Sequence, residues 1–167
     1  RTKIILGAWA GMRVHEIAKI CGEDISPVAG TITITGKGGR TDTLPAHQLI
    51  LQQASHYPRR GLWFPSPKDP AVPVRAKTVS AVISQAFDRA DAPATAHQLR
   101  HYFATSLLRA GTDSRVVQSL MRHESLATTG RYLAVDADQQ RTALSGLHPT
   151  PNATRRRVDA SPSRESE

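Results

Sequence analysis

A mainly helical fold with one small antiparallel β-sheet (α+β) follows from three patterns in the sequence. Apolar residues recur at helical spacing through most of the chain. One threonine–isoleucine alternation, TITIT, precedes a glycine-rich turn and a second extended run, TDTLP. Glycine and proline fall mostly between these segments. With 167 residues the chain is long enough for one domain with a substantial core.

Taken in order, residues 3–20 read as helical, with Ile4, Ile5, Ala8, Trp9, Val14, Ile17 and Ala18 near a 3.6-residue period. Gly11 marks a break or bend, and Gly22 is the expected stop. Ile32 and Ile34 alternate with threonines, as in a half-buried strand, and GKGGR turns the chain back. Residues 46–56 suit a helix packed through Leu49, Ile50 and Ala54. A proline-punctuated loop follows, with Leu62, Trp63 and Phe64 as a short buried anchor. Val79, Val82, Ile83 and Phe87 share the apolar face of a helix over 77–90. The next helix, 96–110, holds Tyr102 as a core residue and stops at Gly111. Asp113 or Ser114 caps another, carrying Val116, Val117, Leu120 and Met121. Helices over 125–133 and 136–146 complete the domain, residues 1–146. Ala134, Ala137, Ala143 and Leu144 give the last helix a modest apolar face, which suits packing on its own domain or on a neighbouring protomer. Residues 147–167 carry Pro, Ser and charge without periodic apolar positions and read as a disordered tail. The chain lacks an initiator Met and opens inside a helical pattern, so it reads as part of a longer protein, truncated at its N-terminus.

Lys plus Arg number 22 against 14 acids, a formal charge of +8 that favours a polyanionic partner. Four of these arginines, Arg155, Arg156, Arg157 and Arg164, lie in the tail. No apolar run approaches membrane-span length, and no signal peptide is recognisable. The single cysteine, Cys21, excludes an internal disulfide framework, fits a reducing compartment and reads as a small packing residue.

Six residues stand out as candidates for chemistry: Arg13, Lys37, His97, Arg100, His123 and Tyr132. Together they suit a cationic pocket around one phosphate, with a phenol as nucleophile. His97 and Arg100, three apart on a helix, share a face and reach one anion. His97 and His101 also have zinc spacing, but no third ligand is nearby and the glutamate of an HExxH site is missing. Arg13 and Glu16 form either a surface ion pair or a buried arginine oriented by its carboxylate. Lys37 is either a solvated hairpin tip or a mobile proton donor. His123 either ends a helix by bonding free carbonyls or faces the phosphate. A tyrosine with a free pKa of about 10 needs a base or a strongly positive setting before it attacks. Two arginines would also stabilise the charge of a pentacoordinate phosphorus.

Over residues 1–146 the chain resembles the tyrosine recombinase (phage integrase) family. GMRVHEIAKICGEDIS resembles the family's first arginine box, usually GLRxSELLxLxWxDI. TITITGKGGRTDTLP looks like its lysine hairpin, and TAHQLRHYFATSLLRAGTDSRVVQSLMRHESLATTGRYL resembles its second box. The gaps of 23 residues from Arg100 to His123 and nine to Tyr132 are similar to the family's. Three positions depart from the pattern. Arg122 stands where glycine is usual before His123, Thr41-Asp42 where basic residues are common, and Val14-His15 where a small residue often precedes the glutamate.

The resemblance implies the tyrosine recombinase catalytic-domain fold and a site-specific recombinase or integrase acting through a 3′-phosphotyrosyl intermediate. Arg13 and Arg100 would clamp the scissile phosphate, and Tyr132 would attack phosphorus. Lys37 would protonate the departing 5′-oxygen, and His97 would assist proton transfer as base to Tyr132. His123 would bond the phosphate, and Glu16 would support Arg13. A covalent intermediate conserves the bond energy, so neither metal nor other cofactor is implied. The implied partner is double-stranded DNA at specific sites, bound by a homo-oligomer, a tetramer in the intact protein. Arg40, Arg75 and Lys77 are candidates for phosphate contact. The expected setting is the bacterial cytoplasm, nucleoid-associated, with a bacterial or phage gene. The competing readings are a DNA-binding module that has lost catalysis and a type IB topoisomerase. The filled catalytic positions oppose the first, and the HxxRH box with histidine nine before tyrosine opposes the second.

Overall fold

The computed structural model describes residues 1–122 and 137–148, apart from the Lys37 side chain. The helix expected over 3–20 is two helices, α1 (Thr2–Ala10) and α2 (Val14–Lys19). Between them Gly11 is left-handed, with φ 56°, and its N–H donates to the Leu6 carbonyl. A β-carbon at Gly11 would lie 2.6 Å from Phe103 Cδ1. Both the backbone conformation and the close approach therefore demand glycine. α2 ends before the expected stop at Gly22, because Ile20 turns extended and its carbonyl accepts from the Trp63 N–H at 3.0 Å. The same pairing continues from the Gly22 N–H to the Gly61 carbonyl at 2.9 Å.

A three-stranded antiparallel sheet follows, in the order β1 (Ile25–Ser26), β2 (Thr31–Thr35), β3 (Thr41–Pro45). The two-residue β1 is too short to show alternation and was not expected from the sequence. In β2, Ile32 and Ile34 are buried, while the outward Thr33 shares a hydroxyl hydrogen bond with Thr43 at 3.0 Å. The GKGGR segment closes the hairpin as a tight turn, with the Gly36 N–H donating to the Arg40 carbonyl at 2.8 Å.

α3 (Gln48–Ala54) is shorter than the expected 46–56, because His47 Nδ1 caps it by accepting from the Leu49 N–H at 3.2 Å. Trp63 and Phe64 are buried as expected, and Leu62 is half-buried. The Tyr57 ring stacks on Trp63 with centroids 4.5 Å apart. Cys21 is half-buried rather than fully packed, and burial with nearby Asp24 and Glu23 pushes its thiol pKa up. On α4 (Ala76–Asp88), Val79 and Ile83 are buried, but Val82 is 43% exposed. Val82 is rotated about 100° from Ile83, outside a stripe narrower than the sequence suggested.

α5 (Ala96–Arg109) starts at a capping box missed in the sequence: Thr95 Oγ1 accepts from the Gln98 N–H, and Gln98 Oε1 accepts from the Thr95 N–H. It ends before Gly111, whose φ is 82°. Tyr102 is only partly buried, against Trp9. α6 (Ser114–Leu120) is capped by Asp113. The helix expected over 125–133 and the tail from 149 lie outside the described residues.

The last helix, α7 (Ala137–Ser145), packs on β3 and α6 of its own chain. Gln140 donates to Ser119 Oγ at 2.9 Å, and Leu144 is buried. Ala143 is partly buried, Ala137 is exposed, and Ala134 lies outside the described residues. Leu147, one residue beyond the expected domain end, is buried, and its carbonyl lies 3.2 Å from His47 Nε2.

Two apolar clusters form the core. The larger joins α1, α2, the sheet, α3 and α4; the smaller joins Phe103 and Leu107 to α6, Leu144 and Leu147. Gly11 lies where they meet, with Phe103 and Met121 both against it. Gly11→Ala is therefore expected to destabilise the chain by about 2–4 kcal/mol, from the left-handed backbone and the overpacking against Phe103. Urea denaturation monitored by circular dichroism would measure it; a loss under about 0.5 kcal/mol would contradict the close approach.

Candidate active site at the first helix break

Arg13 and Arg100, 87 residues apart in sequence, meet at the turn between α1 and α2. The capping box at Thr95 fixes the start of α5, and its register delivers Arg100 to the buried side, facing α1. Arg100 donates from Nη1 to the Gly11 carbonyl and from Nη2 to the Met121 carbonyl. It thus ties the end of α1 to the end of α6. Two of its five N–H donors serve those carbonyls. Arg13, two residues past Gly11, is the N-cap of α2, and its side chain is 37% exposed.

Glu16, at the third position of α2, is the hub of the site. Its Oε2 accepts from the Arg13 backbone N–H at 2.6 Å, and its Oε1 accepts from Arg13 Nη1 at 3.0 Å. The side chain is 1% exposed, so the surface ion-pair reading is wrong for the carboxylate and right only for the outer part of Arg13. Burial opposes its ionisation, but the charges of Arg122 and Arg13 and the Arg13 N–H outweigh burial and hold its pKa below the usual range.

The residue that sequence reasoning did not place here is Arg122. Its Nη2 donates to Glu16 Oε2 at 2.9 Å and to the Gly11 carbonyl at 3.3 Å. Its Nη1 donates to the carbonyls of Ala10 and Leu120 at 3.2 and 3.1 Å. The side chain is 4% exposed. The signal available in the sequence was the arginine standing where glycine is usual. The structure shows φ 52° at Arg122, the left-handed conformation that favours glycine.

Three guanidinium groups therefore surround one carboxylate, leaving a net positive pocket that favours an anion. Burial, with the charges of Arg13 and Arg122, brings Arg100 down to about 10, partly opposed by Glu16, so it stays protonated at neutral pH. Burial also lowers Arg122, against the charges of Glu16 and Asp42. Strand β2 packs against α2, which brings the β2–β3 hairpin alongside this cluster.

His97 is exposed in the first turn of α5, one turn before Arg100. Lys37 begins the turn after β2. His123 and Tyr132 lie outside the described residues. Arg40, Arg75 and Lys77 are all exposed, and Arg40 lies 3.6 Å from Asp42. Among the described residues no group of His, Cys, Asp or Glu is arranged to hold a metal ion, and no helix is long and apolar enough to cross a membrane.

Glu16→Gln removes the counter-charge of a buried arginine and is expected to cost about 3 kcal/mol. Because the folded pKa of Glu16 is depressed, its contribution is present above the unfolded value of about 4.3 and is lost as pH falls through the folded value. Denaturation at pH 7 and across the acid range should show a less stable variant lacking that part of the acid sensitivity. Equal stability and an identical pH profile would contradict the ion-pair hub.

The chain is similar to known proteins over most of its length. Residues 3–139 match the model of the phage integrase family. The chain is 34% identical over 151 residues to the tyrosine recombinase XerA of Pyrococcus furiosus, covering 86% of this chain and 53% of that protein. It superposes on an integrase from mycobacterium phage Brujita with a TM-score of 0.80 and 43% identity, covering 90% of this chain and 52% of that one. The XerH site-specific recombinase, in a pre-cleavage complex with its difH substrate, matches with a TM-score of 0.62 and 25% identity, covering 76% of this chain and 40% of that one. The chain spans about half the length of the curated relatives it matches. From the matched span and the mainly helical fold with its small antiparallel sheet, the chain belongs to the phage integrase family of tyrosine recombinases.

Proposed function

We propose that this chain is the catalytic part of a site-specific DNA recombinase or integrase, cleaving and rejoining strands through a 3′-phosphotyrosyl bond at Tyr132. The observation that carries the reading is the convergence of Arg13 and Arg100 on the Gly11–Glu16 turn. Their spare donors suit the two non-bridging oxygens of one phosphate, where charge accumulates as phosphorus becomes pentacoordinate. Family membership and the XerH complex with its DNA substrate support the same chemistry.

In this mechanism Tyr132 attacks phosphorus while His97 accepts its proton. The phosphorus–O5′ bond breaks, and Lys37 protonates the departing oxygen, leaving a 3′-phosphotyrosyl link and a free 5′-hydroxyl. His123 holds the phosphate. Attack by the 5′-hydroxyl of a partner strand reverses the step, so strands exchange without an external energy source. Arg40, Arg75 and Lys77 supply exposed charge for neighbouring phosphates. The working unit is a homotetramer on two DNA sites, in the cytoplasm of a bacterial host.

The test uses full-length protein and a nicked duplex carrying sequence from the flanks of its own gene. An SDS-resistant adduct is expected for the wild type, none for Tyr132→Phe, and a loss of about 100-fold or more for Arg100→Ala. An adduct that survives in Tyr132→Phe would show a different nucleophile. Specific binding without any adduct would favour a DNA-binding module.

A further inference from the structure

We propose that Arg122 is a positioning residue of this active site, acting through Glu16 to hold Arg13 and the Gly11 turn in the geometry that receives the phosphate. The proposal rests on the recombinase reading above and concerns a residue that stands in place of the family's usual glycine.

Three observations carry it. The first is the bonding pattern: one guanidinium ties the carbonyls of Ala10 and Gly11, at the end of α1, to that of Leu120, at the end of α6, and adds the Glu16 carboxylate. Both arginine ligands of the proposed phosphate rest on these groups. Arg100 shares the Gly11 carbonyl with Arg122, and Arg13 shares the Glu16 carboxylate with it. A shift of Arg122 therefore reaches both.

The second observation is backbone conformation. Arg122 holds φ 52° just past the end of α6, and its N–H donates to the Ser119 carbonyl at 3.0 Å. An L-residue is disfavoured there, and glycine is the unstrained choice. A side chain that merely tolerated the position would point to solvent. This one is buried and bonded to four acceptors. Strain at this turn is thus offset by contacts directed at the site.

The third is charge. Glu16 touches two cations, Arg13 and Arg122, from opposite oxygens. With Arg122 present, the carboxylate is held on its inner side and presents its other oxygen to Arg13. Without it, Oε2 keeps only the Arg13 backbone N–H, and the carboxylate's uncompensated charge draws the Arg13 guanidinium inward, away from a phosphate. Lysine at 122 restores a charge but not the planar fork that spans several acceptors at once.

Arg122→Gly and Arg122→Lys in the full-length protein form the test. The glycine variant adopts the backbone conformation without strain, so it is expected to fold. The adduct on the nicked duplex should form ~10- to 100-fold more slowly in Arg122→Gly at saturating DNA, with DNA affinity unchanged. Arg122→Lys should recover part of that rate. In parallel, the titration midpoint of the Glu16 carboxyl, read by carbon-13 NMR, should rise in Arg122→Gly, because the charge of Arg122 helps to hold it down. An unchanged adduct rate, or an unmoved Glu16 midpoint, overturns the proposal. If the wild type itself forms no adduct, the recombinase reading fails, and the titration alone decides whether Arg122 governs Glu16.

Discussion

The buried carboxylate of Glu16, held between Arg13 and Arg122, is the interaction on which the rest of the site depends. A lone charge at that depth would be costly, and so would a lone guanidinium. Each is tolerated because the other is present and because the carbonyls of Ala10, Gly11, Leu120 and Met121 accept from the terminal nitrogens of Arg100 and Arg122, although Arg122 Nε is buried without a partner among the described residues. The result is a rigid positive pocket rather than a net stabiliser of the fold. Three guanidinium groups against one carboxylate leave an excess of positive charge, which a backbone phosphate offsets in the proposed reaction.

The pocket exists because the polypeptide breaks at Gly11. A continuous helix would keep the Ala10 and Gly11 carbonyls in its own ladder. The left-handed glycine ends that ladder and turns these carbonyls toward Arg100 and Arg122. The lack of a side chain also lets Phe103 close on the turn, seating α5 so that Arg100 lies beneath it. Backbone freedom, core packing and electrostatics are therefore joined at one residue. The smaller apolar cluster, with α6 and α7, fixes the Leu120 and Met121 carbonyls from the other side.

Much of this was legible in the sequence, for identifiable reasons. The 3.6-residue periodicity located the long helices, and TITIT and TDTLP located the hairpin, because burial on one face imposes those periods. Glu16 as partner of Arg13 was readable from three-residue spacing on a helix. Strand β1 was not readable, since two residues carry no alternation. Nor were the early end of α2 and the capping by His47, which arise from contacts with distant segments or with the capping backbone. Val82 was misplaced because periodicity fixes a face but not the width of the surface that covers it. Arg122 was visible only as a departure from the family pattern; its bonds to α1 and α2 depend on the tertiary fold.

The central claim is that Arg13 and Arg100 share one phosphate while Arg122 remains on Glu16. A crystal structure of full-length protein carrying Tyr132→Phe, bound to a nicked duplex from the flanks of its gene, tests it most directly. The account predicts one backbone phosphate with non-bridging oxygens within hydrogen-bond distance of both Arg13 and Arg100, and the Arg122–Glu16 pair intact. A phosphate held by Arg122 in place of Arg13, or lying away from the Gly11 turn altogether, would contradict it.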